Sequence, residues 1–116
     1  MIILIEKNFP VIVMIFDKFE ELEYKTFKKN LEYFDKKSRE DNCCLKLYID
    51  LYNLNDNYSI HYLNELVSYI NGKYFPNLDN IKIFINKNNT SFFLKSYAYM
   101  NQMIQLIELD KPRDWR

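Results

Sequence analysis

The chain has 116 residues, 48% of them apolar and 28% charged, the size and balance of one folded domain, which excludes an intrinsically disordered polymer. Lys plus Arg is 16 and Asp plus Glu is 16, so the formal net charge is zero. No global cationic field draws the chain to nucleic acid or to an anionic membrane, and nucleic acid is not expected as a partner.

Taken in order, Ile2 to Ile5 reads as an edge strand, with Glu6 to Pro10 turning the chain. Val11-Ile12-Val13-Met14-Ile15-Phe16 is short, continuous and rich in β-branched residues, the pattern of a strand buried on both faces. From about Glu21 to Glu40 the period changes: Tyr24, Phe27, Leu31 and Phe34 recur at spacings of three and four, with Glu and Lys elsewhere. That is an amphipathic helix. Leu45 to Ile49 is a second buried strand, ending at Asp50. Ile60, Leu63, Leu66, Val67, Ile70 and Tyr74 form another helical stripe, with Asp56, Asn57 or Ser59 as the N-cap. Gly72 falls where a left-handed C-cap would serve, and Pro76 prevents continuation. Ile81 to Ile85 is a third buried strand. Thr90 or Ser91 can cap a last helix carrying Phe93, Leu94, Tyr97 and Met100. Ile104 to Leu109 reads as a closing strand, and residues 110–116 as a short tail.

Strands alternating with helices predict a single α/β domain over residues 1–116. Its sheet is mostly parallel, of four or five strands, with about three crossover helices.

The usage is skewed: one Gly, one Ala and three Arg stand against many Asn, Lys, Ile, Tyr and Phe. Residues with AT-rich codons dominate, a genome signature found in some protists, intracellular parasites and large DNA viruses. Much of the Asn and Lys is therefore background. Cys43 and Cys44 are adjacent and have no third cysteine to pair with, which fits a reducing, cytoplasmic setting and two small buried hydrophobes. The apolar start is interrupted by Glu6, Lys7 and Asn8, and no later apolar run approaches the ~20 residues of a membrane span.

Ligands of open α/β sheets sit outside the carboxyl ends of the strands. Those ends read Asp17, Asp50 and Asn86, with Asn53 and Lys87 close behind. Two carboxylates there could hold Mg²⁺, but acidic residues at strand ends more often turn the chain or cap the next helix, and no metal or other cofactor is expected. With one glycine, neither a dinucleotide fingerprint nor a phosphate loop can be built. His61 is the sole histidine and has no triad spacing around it. No catalytic residue stands out, and the chain is expected not to be an enzyme. The aromatic load does stand out: ten Tyr, nine Phe and one Trp. Phe16, Phe27, Phe34 and Phe84 belong on core faces, whereas Phe92, Phe93, Tyr97, Tyr99 and Met100 make a helix apolar nearly all round. Such a helix is buried, covered by a partner, or faces a nonpolar ligand.

Phe9 to Leu109 resembles the CRAL-TRIO family of lipid-binding and lipid-transfer domains. The match runs through Pro10-Val11 opening a buried strand, a strand ending Ile49-Asp50-Leu51, a helix entering Phe75-Pro76-Asn77-Leu78, a strand ending Ile85-Asn86, and the Phe-rich Ser91-Phe92-Phe93-Leu94. The family's glycine shortly after Asp-Leu is absent here, with Asn53 nearby as the other residue tolerant of a left-handed backbone. The resemblance implies a lipid or other apolar ligand between the sheet and the last helix, against Phe84, Phe92, Phe93, Tyr97 and Met100. STAS domains are a related alternative: they place a strand ending in Asp before a helix whose start carries a regulatory Ser, and Asp50 and Ser59 stand at those positions. That reading implies a protein-interaction module without a small-molecule ligand, its aromatic surface covered by a partner or by a second copy in a homodimer.

Overall fold

In a computed structural model, the described residues are 2–54, 60–87 and 104–115. They form one five-stranded sheet and two helices. β1 (Ile2–Asn8), β2 (Val11–Phe16), β3 (Leu45–Asp50), β4 (Leu78–Asn86) and β5 (Ile104–Leu109) lie in sequence order across the sheet. β1 runs antiparallel to β2, and β2 through β5 are mutually parallel. α1 (Glu21–Glu40) crosses from β2 to β3, and α2 (Ile60–Gly72) joins β3 to β4. This is the α/β class that the alternation of periods predicts. The third expected helix, with its caps at Thr90 or Ser91, lies outside the described residues.

Both helices pack on one face of the sheet. Ile12, Met14 and Phe16 of β2, Leu47 and Ile49 of β3, and Ile81, Ile83 and Ile85 of β4 form that face. Against it sit Phe27, Leu31 and Phe34 of α1 and Leu63, Leu66, Val67 and Ile70 of α2. Each side chain fully removed from water contributes about 1.5–3 kcal/mol. Tyr74, expected on the α2 stripe, lies beyond the end of the helix and is 84% exposed. On the helix exterior the Tyr69 hydroxyl donates to Glu32 Oε1 at 2.7 Å and the Lys73 ammonium approaches the same oxygen at 3.0 Å, tying α2 to α1.

The ends of α1 follow from local chemistry. At its start, the backbone N–H of Glu20 donates to Oε1 of Glu23 at 2.9 Å, half of a capping box. At its end, the Asn42 N–H donates to the Arg39 carbonyl and the Cys43 N–H to the Ser38 carbonyl, while Asn42 has φ 51°. These paired bonds define a Schellman stop with Asn in the left-handed position. Among the described residues Asn42 alone adopts positive φ; Gly72, the sole glycine, does not. The left-handed cap expected at Gly72 is therefore absent, and Gly72 is the last residue of the helix itself. Asn53 is likewise not left-handed: it sits in a turn closed by the Leu54 N–H on the Leu51 carbonyl at 3.1 Å.

Two further expectations are corrected. Cys44 is exposed and Cys43 half-buried, because both occupy the connection that leaves the α1 stop and carry no place in the core; the burial begins at Leu45. Phe84 is buried as expected, at 1% exposure, but on the sheet face opposite the helices and outside the core that they enclose.

Candidate functional site

The face of the sheet away from α1 and α2 has its own order. Register places Ile15, Asp50, Phe84 and Ile107 in one row across β2 to β5, near the carboxyl ends. Val13, Tyr48, Lys82 and Gln105 form the next row on the same face. Val13 is buried and Ile15, Tyr48 and Ile107 are half-buried. Alternation along β3 thus sends Leu47 and Ile49 to the helices and Tyr48 and Asp50 to the other side.

Residues 110–115 leave β5 and cross this face without regular structure. Lys111 to Asp114 are exposed, and Trp115 is the anchor. Its indole meets the Phe84 ring edge-on at a centroid distance of 5.0 Å, and lies tilted against Tyr48 at 5.8 Å. Tyr48 and Phe84 are themselves edge-on at 5.9 Å, which makes a closed group of three rings in preferred geometries. The Arg113 guanidinium lies over Trp115 at 4.5 Å and over Phe84 at 5.1 Å, and the Lys82 ammonium over Tyr48 at 5.5 Å. Both separations for Arg113 lie within cation–π range.

Asp50 sits at the centre. It is 4% exposed, and its two oxygens have separate donors: the Tyr52 backbone N–H reaches Oδ1 at 2.9 Å, and the Trp115 indole N–H reaches Oδ2 at 2.6 Å. The first bond turns the chain after β3, the ordinary role of a strand-end Asp. The second fixes residues 110–115 to the sheet. Around it, the Tyr52 hydroxyl donates to the Asp110 carbonyl at 3.3 Å, and the Lys87 ammonium lies 3.7 Å from Asp110 Oδ1. Carboxyl-end residues of β3 and β4 thus hold the crossing segment at both of its ends.

Of the sequence candidates, the structure brings Phe84 and Asp50 into one site. Asp17 ends β2 in an exposed position, and among the described residues no group of three His, Cys, Asp or Glu is placed to hold a metal ion. His61 is exposed in the first turn of α2, its ring edge-on to Tyr62 at 4.9 Å. Phe92, Phe93, Tyr97, Met100 and Ser59 lie outside the described residues. Sequence reasoning missed Tyr48, Arg113 and Trp115. Tyr48 was legible as the polar-tipped alternate of a strand whose neighbours are aliphatic. A lone Trp in an irregular segment carries no periodic signal.

No described helix is long and apolar enough to cross a membrane. The described residues define an α/β domain of parallel crossover units, with a cluster of three aromatic rings on the sheet face that neither described helix covers. Comparison with protein-family models, curated proteins and solved structures yields no match to this chain.

Proposed function

We propose that this chain is a non-enzymatic binding module of the CRAL-TRIO kind, taking a lipid or other apolar ligand against the carboxyl end of its sheet. The observation that carries the reading is Phe84, the ligand-binding candidate that falls among the described residues. It is buried on the sheet face that neither described helix covers, beside Tyr48 and in contact with Trp115 and Arg113. Apolar and aromatic side chains with a few placed polar groups among them are the usual lining of a small-molecule site. The succession of elements supports the same reading: Pro10-Val11 opens β2, Asp50-Leu51 closes β3, α2 runs into the Phe75 to Leu78 turn, and Ile85-Asn86 closes β4. Asp50, the strand-end carboxylate best placed for chemistry, is committed to two N–H donors, which favours recognition over catalysis.

Native mass spectrometry of the purified chain, followed by solvent extraction, tests the proposal. An apolar molecule carried at one per chain, and lost in Phe93→Asp while the variant stays folded, is the expected result. A chain that is empty overturns it. An empty dimer gives the weight to the STAS-like reading, in which a protein covers the aromatic surface.

A further inference from the structure

The sole glycine of the chain sits where neither backbone conformation nor packing calls for one. Gly72 ends α2 without positive φ, and a β-carbon built on it would meet nothing within 4 Å among the described residues. Glycine is less favourable than alanine in a helix because more backbone freedom is lost on ordering it. Sterics therefore do not account for it, and its neighbour does. Asn71 precedes Gly72, whereas every other asparagine of the chain is followed by a residue with a side chain. Between the buried Ile70 and Phe75, residues 71–74 are all exposed, and the helix stops at Gly72.

We infer that Asn71-Gly72 is a site of spontaneous deamidation in the folded chain, and that the carboxylate it creates loosens the end of α2 from α1. The backbone nitrogen of Gly72, its proton taken by solvent base, attacks Cγ of Asn71. A C–N bond forms, the Cγ–Nδ2 bond breaks and ammonia leaves, closing a cyclic imide. Water then opens the ring at either carbonyl. The product is aspartate or, where the main chain is rerouted through Cγ, isoaspartate. No electrons are exchanged, and water is the sole co-reactant. A side chain on the following residue obstructs the attack, and glycine presents none. Helical ψ at Asn71 holds the attacking nitrogen away from Cγ, so the last turn must open first. Helix ends open locally at a small fraction of the global unfolding free energy, and glycine makes that opening easier. The product carboxylate stands at the C-terminal end of the helix dipole, where negative charge is unfavourable. Residue 71 also lies midway between the two that tie α2 to α1. The Tyr69 hydroxyl donates to Glu32 Oε1 at 2.7 Å, and the Lys73 ammonium reaches the same oxygen at 3.0 Å. Isoaspartate lengthens the main chain between them by one carbon.

The full chain is incubated in native buffer at neutral pH, and its peptides are followed by mass spectrometry with fragmentation that distinguishes aspartate from isoaspartate. The expected result is conversion of amide to carboxyl at Asn71, with isoaspartate among the products, ahead of every other asparagine. In Gly72→Ala, a change that the space around the residue admits, conversion at Asn71 falls to the level of the other asparagines. Repeating the pair in urea, where neither chain is helical, separates the missing β-carbon from the firmer helix end that alanine gives; the native sequence still converts faster. A folded chain that stays unconverted while its unfolded form converts overturns the inference, as does equal conversion at several asparagines. Anion exchange then isolates the converted chain by its added negative charge, and urea denaturation compares it with the unconverted one. A lower midpoint in the converted chain, matched in direction by Asn71→Asp, is expected. Midpoints that are equal, or higher after conversion, overturn the loosening of α2.

Discussion

Trp115 donates its indole N–H to Asp50 across 65 residues of sequence, at 2.6 Å, and so joins the segment after β5 to the end of β3. The bond makes a strand-end carboxylate part of the fold's closure. It couples the turn after β3, held by the same carboxylate through Tyr52, to whatever position residues 110–115 occupy.

Asp50→Asn keeps an oxygen for the Tyr52 N–H but presents an NH₂ to the indole, so one buried donor loses its acceptor. The expected cost is about 1.5–3 kcal/mol, the range for hydrogen bonds to charged groups. Trp115 is the sole tryptophan, so its emission reports the event without ambiguity. Emission should shift to the red in Asp50→Asn under native conditions, and urea denaturation should show the loss. Unchanged emission would mean that the aromatic contacts with Phe84 and Tyr48 hold the indole unaided.

Phe27 is fully buried in the helix-facing core, whereas Leu22, on the same helix, is 67% exposed. Phe27→Ala should therefore cost about 3–5 kcal/mol through lost burial and a cavity. Leu22→Ala should stay within about 0.5 kcal/mol. Chemical denaturation of both variants checks the contrast. A large effect at Leu22 would show that this surface is covered in solution, as a homodimer requires.

Asn42 has φ 51° at the α1 stop, where its N–H and that of Cys43 satisfy the carbonyls of Arg39 and Ser38. Asn42→Ala should lose up to about 1 kcal/mol, because alanine lacks the short polar side chain that makes the left-handed region tolerable to asparagine. Asn42→Gly should match or exceed the native stability at the same site. Thermal unfolding of the pair decides it; equal loss in both variants would mean that the Asn side chain, not its backbone, terminates the helix.

These sites show what was legible in the sequence. α1, β2 and β5 have the bounds that their periods imply, because burial on one stripe or one face leaves a repeating mark. β4 begins three residues before the apolar run, at Leu78, since backbone pairing with β3 extends past the side chains that need burial. The left-handed residue that caps α1 was not anticipated because glycine is the usual one, and the sole glycine sits elsewhere; Asn42, three residues after Arg39, was the available signal. Phe84 was read as core from hydrophobicity alone. Which face it occupies depends on register with β3, and what lies over it depends on Trp115, a contact that local pattern cannot encode.

The ion pair and hydrogen bond between the helices give a pH dependence of fixed sign. The Tyr69 hydroxyl, and after it the Lys73 ammonium, hold the Glu32 carboxyl below its ordinary value of 4.5. A carboxylate whose pKa is lowered by folding contributes stability that is fully present above the unfolded value. The contribution is lost as pH falls through the folded value. Glu32→Gln should therefore be less stable than the native chain above about pH 5, and the difference should close towards more acid pH. Solvent exposure of Glu32 and Lys73 keeps the difference small. Tyr69 moves the other way. Burial, and then its bond to Glu32, raise its pKa above 10.0, so its contribution is complete below that pH and fades as the hydroxyl ionises. Tyr69→Phe removes the hydroxyl and weakens the acid-side dependence, because Glu32 then loses its principal donor and keeps the Lys73 ammonium. Urea denaturation of the three proteins from pH 3 to pH 7 resolves the pattern. A gap between native and Glu32→Gln that widens towards acid would show that Glu32 is destabilised by its surroundings, the reverse of what the Tyr69 contact requires.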